Sequence, residues 1–166
     1  MKSGIEFLPI NLEQDWDLCL KFRIDSYVSS FGSSANFEKD GGEVHYKEWL
    51  GNKVKNNPYS AVHVYFDGKI IGQMEMGKMK NEADIGMVNL YYLAPEYRGK
   101  NLSGYLDQYA MNFLKGLGCK IARLNVSPTN TRALAYYSKN GWKEIGPNPK
   151  YPEVHTMEKS LEGEEI

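Results

Sequence analysis

The stretch LYYLAPEYRGKNLSGYLDQYAMNFLKGLG, Leu90–Gly118, begins with an apolar and aromatic run typical of a β-strand and ends with the spacing of an amphipathic helix. Between the two elements lies a basic turn in which Arg98 and Lys100 flank Gly99. The turn directly precedes the helix N-terminus, where unpaired backbone N–H groups and the positive end of the helix dipole attract anions. The sequence therefore predicts a strand–turn–helix unit that binds an anion, with phosphate as the leading candidate.

The turn does not follow the two best-known phosphate-binding patterns. The segment YRGKN is not followed by the Gly-Lys-Ser/Thr ending of a Walker loop, and it lacks the G-x-G-x-x-G pattern of dinucleotide-binding turns. An isolated Arg-Gly-Lys triplet is most often a solvated loop without a ligand. Its position between a strand and a helix favours anion binding here.

The first third of the chain predicts a strand followed by two helices. A strand is expected over residues 5–10, and Asn11 with Gln14 three positions later resembles a capping box that opens the first helix. A second helix is expected over residues 36–50 and is predicted to end at Gly51.

The remaining two thirds predict strands that alternate with helices. Asp67-Gly68 between two β-rich runs is the strongest hairpin signal in the chain, and another strand over residues 86–95 is closed by Pro95. After the helix of the quoted stretch come a buried strand, KIARLNV, a compact helix, TNTRALAYYSKNG, and two final strands, WKEIG and EVHTMEKSL. This order indicates an α/β fold with a mixed sheet and helices on both of its faces.

Length and composition favour one globular domain over residues 1–166, with 42% apolar residues to form a single core. Twenty Lys and Arg residues against 21 Asp and Glu residues give a formal net charge of -1, so the protein as a whole is not attracted to nucleic acid or to an anionic membrane. Cys19 and Cys119 lie far apart in apolar stretches, which favours reduced thiols and a cytoplasmic location. No apolar run reaches membrane-spanning length, and the N-terminus offers no signal-peptide core. The acidic tail EGEEI, residues 162–166, is expected to be solvated and without function.

Two segments together, LAPEYRGKNLSGYL and SPTNTRALAYYSKNGW, resemble the Gcn5-related N-acetyltransferases, the GNAT family. Members of this family bind acetyl-CoA through an R/Q-x-x-G-x-G/A turn at the start of the central helix. Arg98 and Gly99 fit the turn, whereas Asn101 stands where the family usually has glycine and Ser103 occupies the small-residue position. Asparagine tolerates unusual backbone angles better than most residues. The resemblance implies an acyl-CoA N-acyltransferase fold with a central, mostly antiparallel sheet.

The resemblance also implies how acetyl-CoA is held. The strand ending in YYLAP is expected to splay from the next strand, so that the backbone at Leu93 and its neighbours pairs with the pantetheine arm. Asn130 is placed to cap its helix and contact the cofactor, although capping alone would explain it. The backbone of the turn is expected to bind the pyrophosphate, through Arg98, Gly99, Lys100, Asn101, Leu102, Ser103 and Gly104.

Acetyl transfer needs a proton for the departing thiolate and an acceptor for the proton of the amine. In NTRALAYYSKNGW the resemblance assigns the first role to Tyr137, and an ordinary core tyrosine is the alternative. Glu75, between Met74 and Met76, is the first choice as general base. A carboxylate in this position is expected either on the solvent-exposed face of the sheet or in the lining of a cleft, because side chains alternate along a strand. Asp84 and Tyr91 are weaker alternatives for the base.

No metal is expected, because His45, His63 and His155 are isolated and show no metal-ligand spacing. The acceptor pocket of the family is usually walled by the first two helices and their joining loop, so Phe31–Ser34 could shape it here.

The leading prediction is an acetyl-CoA-dependent N-acetyltransferase that transfers the acetyl group directly to a primary amine on a small molecule or a protein. The first alternative is a catalytically silent acyl-CoA-binding sensor or interaction module, which the asparagine at position 101 favours. A nucleic-acid binder that uses YRGKN and the tyrosines is a second alternative, and the balanced charge argues against it. A homodimer that pairs through sheet edges or the C-terminal strands is compatible with the fold.

Overall fold

Seven strands form one sheet in the part of the chain that this computed structural model describes, residues 4–162. The strands are β1 (Ile5–Pro9), β2 (Ala61–Phe66), β3 (Lys69–Lys78), β4 (Ile85–Leu93), β5 (Ile121–Val126), β6 (Lys143–Pro147) and β7 (His155–Ser160). Their order in the sheet is β1-β2-β3-β4-β5-β7-β6, and β4 and β5 are the one parallel pair among them. The expected mixed, mostly antiparallel sheet is confirmed. Apart from Glu162, the predicted acidic tail lies outside the described residues.

Helices cover both faces of the sheet, as predicted. They are α1 (Leu12–Phe31), α2 (Ala35–Lys39), α3 (Gly42–Asn56), α4 (Ser103–Gly116) and α5 (Thr131–Lys139), and short 3₁₀ turns lie at Pro58–Ser60 and Pro95–Tyr97. The alternation of side chains along β3 separates the two layers. Met74 and Met76 enter the core that includes Leu114 of α4, whereas Glu75 contacts Tyr46 of α3 on the other face. No helix of the described residues is long and apolar enough to span a membrane.

Two local predictions from the sequence are confirmed in detail. The side-chain oxygen of Asn11 accepts the backbone N–H of Gln14 at 3.0 Å and so caps α1. Asp67 and Gly68 both have positive φ, 50° and 81°, as a two-residue hairpin loop of type I′ requires, and they join β2 directly to β3.

The prediction of one helix over residues 36–50 is wrong. Gly41 and Gly42 adopt φ values of 112° and 69°, which right-handed helical backbone excludes, so the segment divides into α2 and α3. The predicted stop at Gly51 is also wrong, because α3 continues to Asn56. A single glycine inside a helix costs only about 1 kcal/mol, which the packing of α3 on the sheet outweighs.

The sheet opens between β4 and β5. Their pairing covers four residue pairs, from Ile85↔Ile121 to Val88↔Leu124, and does not extend beyond Val88. At the same position the pairing of β4 with β3 skips Asn89, which forms a bulge on β4. The predicted splay is therefore present, and it leaves the last residues of β4 without a strand neighbour on the β5 side.

Candidate active site

A cleft of about 1660 Å³ lies at the opening between β4 and β5. The turn before α4 and the start of that helix form one wall, and α5 forms another. Residues of α1, α2 and α3 form the far end. Pockets for drug-sized ligands measure ~300–1,000 Å³, so this cleft has room for more than one such group.

Most of the residues predicted as a site line this one cleft. They are Leu93, Arg98, Gly99, Asn101, Ser103, Gly104, Asn130 and Tyr137. Lys100, Leu102 and Glu75 do not line it: Lys100 is exposed, Leu102 packs against the core, and Glu75 is buried in the sheet.

The backbone of the turn has the shape of an anion-binding loop. Gly99 and Asn101 both adopt left-handed conformations, with φ values of 76° and 62°. Asparagine is one of the few residues with a side chain that visits this region readily, so Asn101 takes the conformation that a glycine would take there. The helix α4 begins at Ser103 without a side-chain cap, which leaves its first N–H groups free to bind an anion.

Arg98, at the start of the turn, packs against the end of β4. Arg98 bends back toward β4, where its Nε donates to the carbonyl oxygen of Leu93 at 2.8 Å and its guanidinium stacks 5.3 Å from the centre of the Tyr92 ring. Its guanidinium also lies 3.4 Å from the carboxylate of Asp25. Arg98 therefore braces the turn, and Asp25 partly balances its charge.

Arg132 of α5 brings a second positive charge to the turn. A Cβ added at Gly99 would lie 3.1 Å from a guanidinium nitrogen of Arg132, so this cation sits directly on the turn. Arg132 also lines the cleft. No feature of the sequence singled out Arg132, although it stands only two positions after Asn130 in the segment NTRALAYYSKNGW.

Tyr137 lies in an aromatic cluster at the α5 wall. Its ring centre is 6.0 Å from the ring of Tyr91 and 6.0 Å from the ring of Trp142. Burial raises the pKa of Tyr137 above its usual value, and the charges of Tyr136 and Asp107 raise it further, so the phenol keeps its proton at neutral pH. Asn130 caps α5 by accepting the N–H of Ala133 at 3.2 Å, which accounts for its position at the rim of the cleft.

Glu75 is fully buried, and the expectation that it lies on a wet face or lines a cleft is wrong. Its Oε1 is 2.7 Å from Arg23, and its Oε2 accepts hydrogen bonds from Tyr46 and from Gln73, the latter at 2.9 Å. The carboxylate is thus fully engaged by donors. Tyr46 and Arg23 line the cleft, so they connect Glu75 to it.

The far end of the cleft, where the family resemblance places the acceptor, is rich in aromatic side chains. Phe31 lines it as predicted, whereas Gly32, Ser33 and Ser34 do not. The guanidinium of Arg23 lies 5.1 Å from the ring centre of Tyr46 and 5.7 Å from that of Trp49. The sequence did not predict a role for these aromatic residues, because their helical spacing is equally typical of a core face.

The sequence model of the Acetyltransferase (GNAT) family matches residues 20–142 of this chain. The chain belongs to the GNAT family. The matched region runs from α1 to Trp142 and includes the turn, α4 and α5. No curated protein sequence matches the chain.

Solved structures share the fold over nearly the whole chain. The PaiA N-acetyltransferase of Thermoplasma acidophilum, in complex with coenzyme A, is 21% identical with a TM-score of 0.67 and covers 96% of this chain and 99% of its own. A GNAT acetyltransferase of Staphylococcus aureus MU50 is 16% identical with a TM-score of 0.71, over 95% and 99% of the two chains. A chain of the NatC complex bound to Gag peptide and CoA is 14% identical with a TM-score of 0.66, over 96% and 99%. The predicted GNAT-like fold is confirmed.

Proposed function

We propose that this protein is an N-acetyltransferase that moves the acetyl group of acetyl-CoA directly to a primary amine, on a small molecule or a protein. One observation carries the proposal. The left-handed turn at Gly99 and Asn101 and the uncapped N-terminus of α4 lie at the edge of a cleft that continues between β4 and β5. A diphosphate fits such a turn, and an extended arm fits the opening between the strands. Membership of the GNAT family supports acetyl-CoA as the cosubstrate.

The residues that would hold the cosubstrate divide into three groups. The backbone N–H groups of the turn from Arg98 to Gly104 would bind the diphosphate, and Arg132 would add charge next to them. The unpaired edge of β4 ending at Leu93 would hydrogen-bond the pantetheine arm. Asn130, at the rim of the cleft, would contact the cosubstrate with the part of its side chain that capping leaves free.

Tyr137 is the proposed acid. When the amine nitrogen bonds to the carbonyl carbon, the C–S bond breaks and the sulfur leaves as a thiolate that needs a proton. A hydrogen bond from the hydroxyl of Tyr137 would stabilise the developing charge before the proton moves to sulfur. The rings of Tyr91 and Trp142 would hold the phenol in place during this step.

Glu75 remains the proposed acceptor of the amine proton, through a relay. Because Glu75 does not reach the cleft, the hydroxyl oxygen of Tyr46 would take the proton of the amine while Tyr46 passes its own proton to Glu75. Burial raises the pKa of Tyr46 well above its usual value, and the charge of Glu75 raises it further, so Tyr46 cannot hold a lasting negative charge and would serve only as a conduit.

The proposal is tested by acetyl-CoA titration together with a CoA-release assay over a panel of polyamines, amino sugars, amino acids and peptide N-termini. We expect binding of acetyl-CoA and release of CoA that depends on one class of amine. Binding without turnover on any amine would favour a silent acyl-CoA-binding module. The absence of binding would reject both functions.

A further inference from the structure

The hydroxyl of Tyr136, one position before the proposed acid, is buried and has no hydrogen-bond partner among the described residues. Tyr136 lines the cleft at the α5 wall. Within residues 4–162 the same combination of burial and missing partner occurs at one other side-chain atom, Nδ1 of His63, which belongs to a residue that does not line the cleft. Buried hydroxyls without a partner are rare because their desolvation is not compensated, so the hydroxyl of Tyr136 calls for an acceptor.

The neighbouring acidic group is already engaged. Asp107 is a buried residue of α4, and its charge acts on Tyr136. Its Oδ1 accepts from Tyr91 at 2.9 Å and from Trp142 at 3.2 Å, and its Oδ2 accepts from Lys159 at 2.9 Å. Asp107 therefore satisfies three other donors and makes no hydrogen bond to Tyr136.

The ring of Tyr136 is held in place although its hydroxyl is not. The ring packs edge-on against Tyr137 with 5.7 Å between the ring centres. Asn140 donates from its side chain to the carbonyl oxygen of Tyr136 at 2.8 Å, which fixes the end of α5. These contacts keep the ring of Tyr136, with its unpartnered hydroxyl, in the α5 wall of the cleft.

We propose that the hydroxyl of Tyr136 donates a hydrogen bond to a carbonyl oxygen of the acyl-pantetheine arm bound in the cleft, which makes it a second cosubstrate contact on α5. This inference rests on the proposed function. An arm in the opening beyond Val88 offers its amide and thioester carbonyls as acceptors, and the backbone of β4 contributes partners from one side only. Tyr136 lies on α5, which also lines this cleft. Burial raises the pKa of Tyr136 to about 12, and the charge of Asp107 adds to this, so the phenol remains a donor at neutral pH.

The test is calorimetric titration of the full-length wild type, Tyr136→Phe and Tyr59→Phe with three probes: acetyl-CoA, CoA and adenosine 3′,5′-bisphosphate, which lacks the arm. Tyr59 is exposed and lies outside the cleft, so Tyr59→Phe is the matched control. We expect Tyr136→Phe to bind acetyl-CoA about three- to tenfold more weakly and the bisphosphate as the wild type does. The melting temperature of the free variant should equal or exceed that of the wild type, because no hydrogen bond within the protein is lost.

The pattern across the probes decides the matter. Loss confined to acetyl-CoA supports a contact with the thioester carbonyl, and equal loss for acetyl-CoA and CoA supports a contact with an amide of the arm. Unchanged affinity for acetyl-CoA and for CoA overturns the inference. A lower melting temperature of Tyr136→Phe together with an equal loss of affinity for the bisphosphate also overturns it, because this result would indicate a structural role. If the wild type binds none of the three probes, the proposed function fails and the inference falls with it.

Discussion

Replacing Glu75 by glutamine should destabilise the protein severely, because it breaks a buried ion pair. Glu75 is fully buried, its Oε1 is 2.7 Å from Arg23, and the side chain of Arg23 is only 16% exposed. A neutral side chain at position 75 leaves the guanidinium without its counter-ion. Removing one partner of a buried pair costs about 3–5 kcal/mol. The same substitution disturbs the hydrogen bonds from Tyr46 and Gln73, so we expect a loss of at least about 3 kcal/mol.

Urea denaturation followed by tryptophan fluorescence measures this loss. Glu82→Gln is the control, since Glu82 is half-exposed and lies 3.4 Å from Arg123, and surface pairs contribute only about 0–1 kcal/mol. Adding Arg23→Met to Glu75→Gln should recover part of the stability, because it removes the uncompensated charge. A loss below about 1 kcal/mol for Glu75→Gln, or no recovery in the double variant, would refute the reasoning.

Activity separates the structural role of Glu75 from the proposed relay. At a temperature where Glu75→Gln is still folded, the relay predicts that kcat falls at least about tenfold while the affinity for acetyl-CoA is retained. A folded variant with the wild-type kcat would leave Glu75 as a purely structural residue.

Substitutions at three further positions address the remaining assignments. Tyr137→Phe should lower kcat by about 100-fold and leave the affinity for acetyl-CoA unchanged in a titration, and unchanged turnover would exclude the acid role. Asn101→Gly should retain acetyl-CoA binding and stabilise the protein by up to about 1 kcal/mol. Asn101→Val should lower both the stability and the affinity for acetyl-CoA, because a β-branched residue resists a φ of 62°. Identical behaviour of the two variants in thermal melts and titrations would contradict this expectation. Burial lowers the pKa of His63, so the unfolded chain binds the proton first and stability falls as the pH drops below about 6.5. Urea titrations should show a shallower decline for His63→Gln, by up to about 1.4 kcal/mol per pH unit, and equal slopes would contradict the assignment.

The sequence was informative wherever local chemistry decides the structure. The cap at Asn11, the hairpin at Asp67-Gly68 and the strand–turn–helix unit around Gly99 each depend on a few neighbouring residues. Asn101 illustrates this well, since the tolerance of asparagine for left-handed backbone anticipates its observed φ.

Features that depend on long-range packing could not be predicted in the same way. Strand alternation correctly separated Glu75 from Met74 and Met76, but it could not show that α1 and α3 cover the Glu75 face with Arg23 and Tyr46. The missing partner of the Tyr136 hydroxyl likewise arises only when α5 docks on the sheet. Such contacts join residues distant in the chain, so no local pattern reports them.

The opening between β4 and β5 interrupts the hydrogen bonding of this sheet. Its two halves are joined by four residue pairs at one end, and beyond Val88 the edge of β4 has no strand partner on the β5 side. Proteins usually cover or blunt such an edge because it invites foreign strands. In the proposed reaction the cosubstrate arm serves as a removable strand that completes the sheet in each cycle, and after product leaves, the hydrophobic layers beneath the sheet keep its halves together.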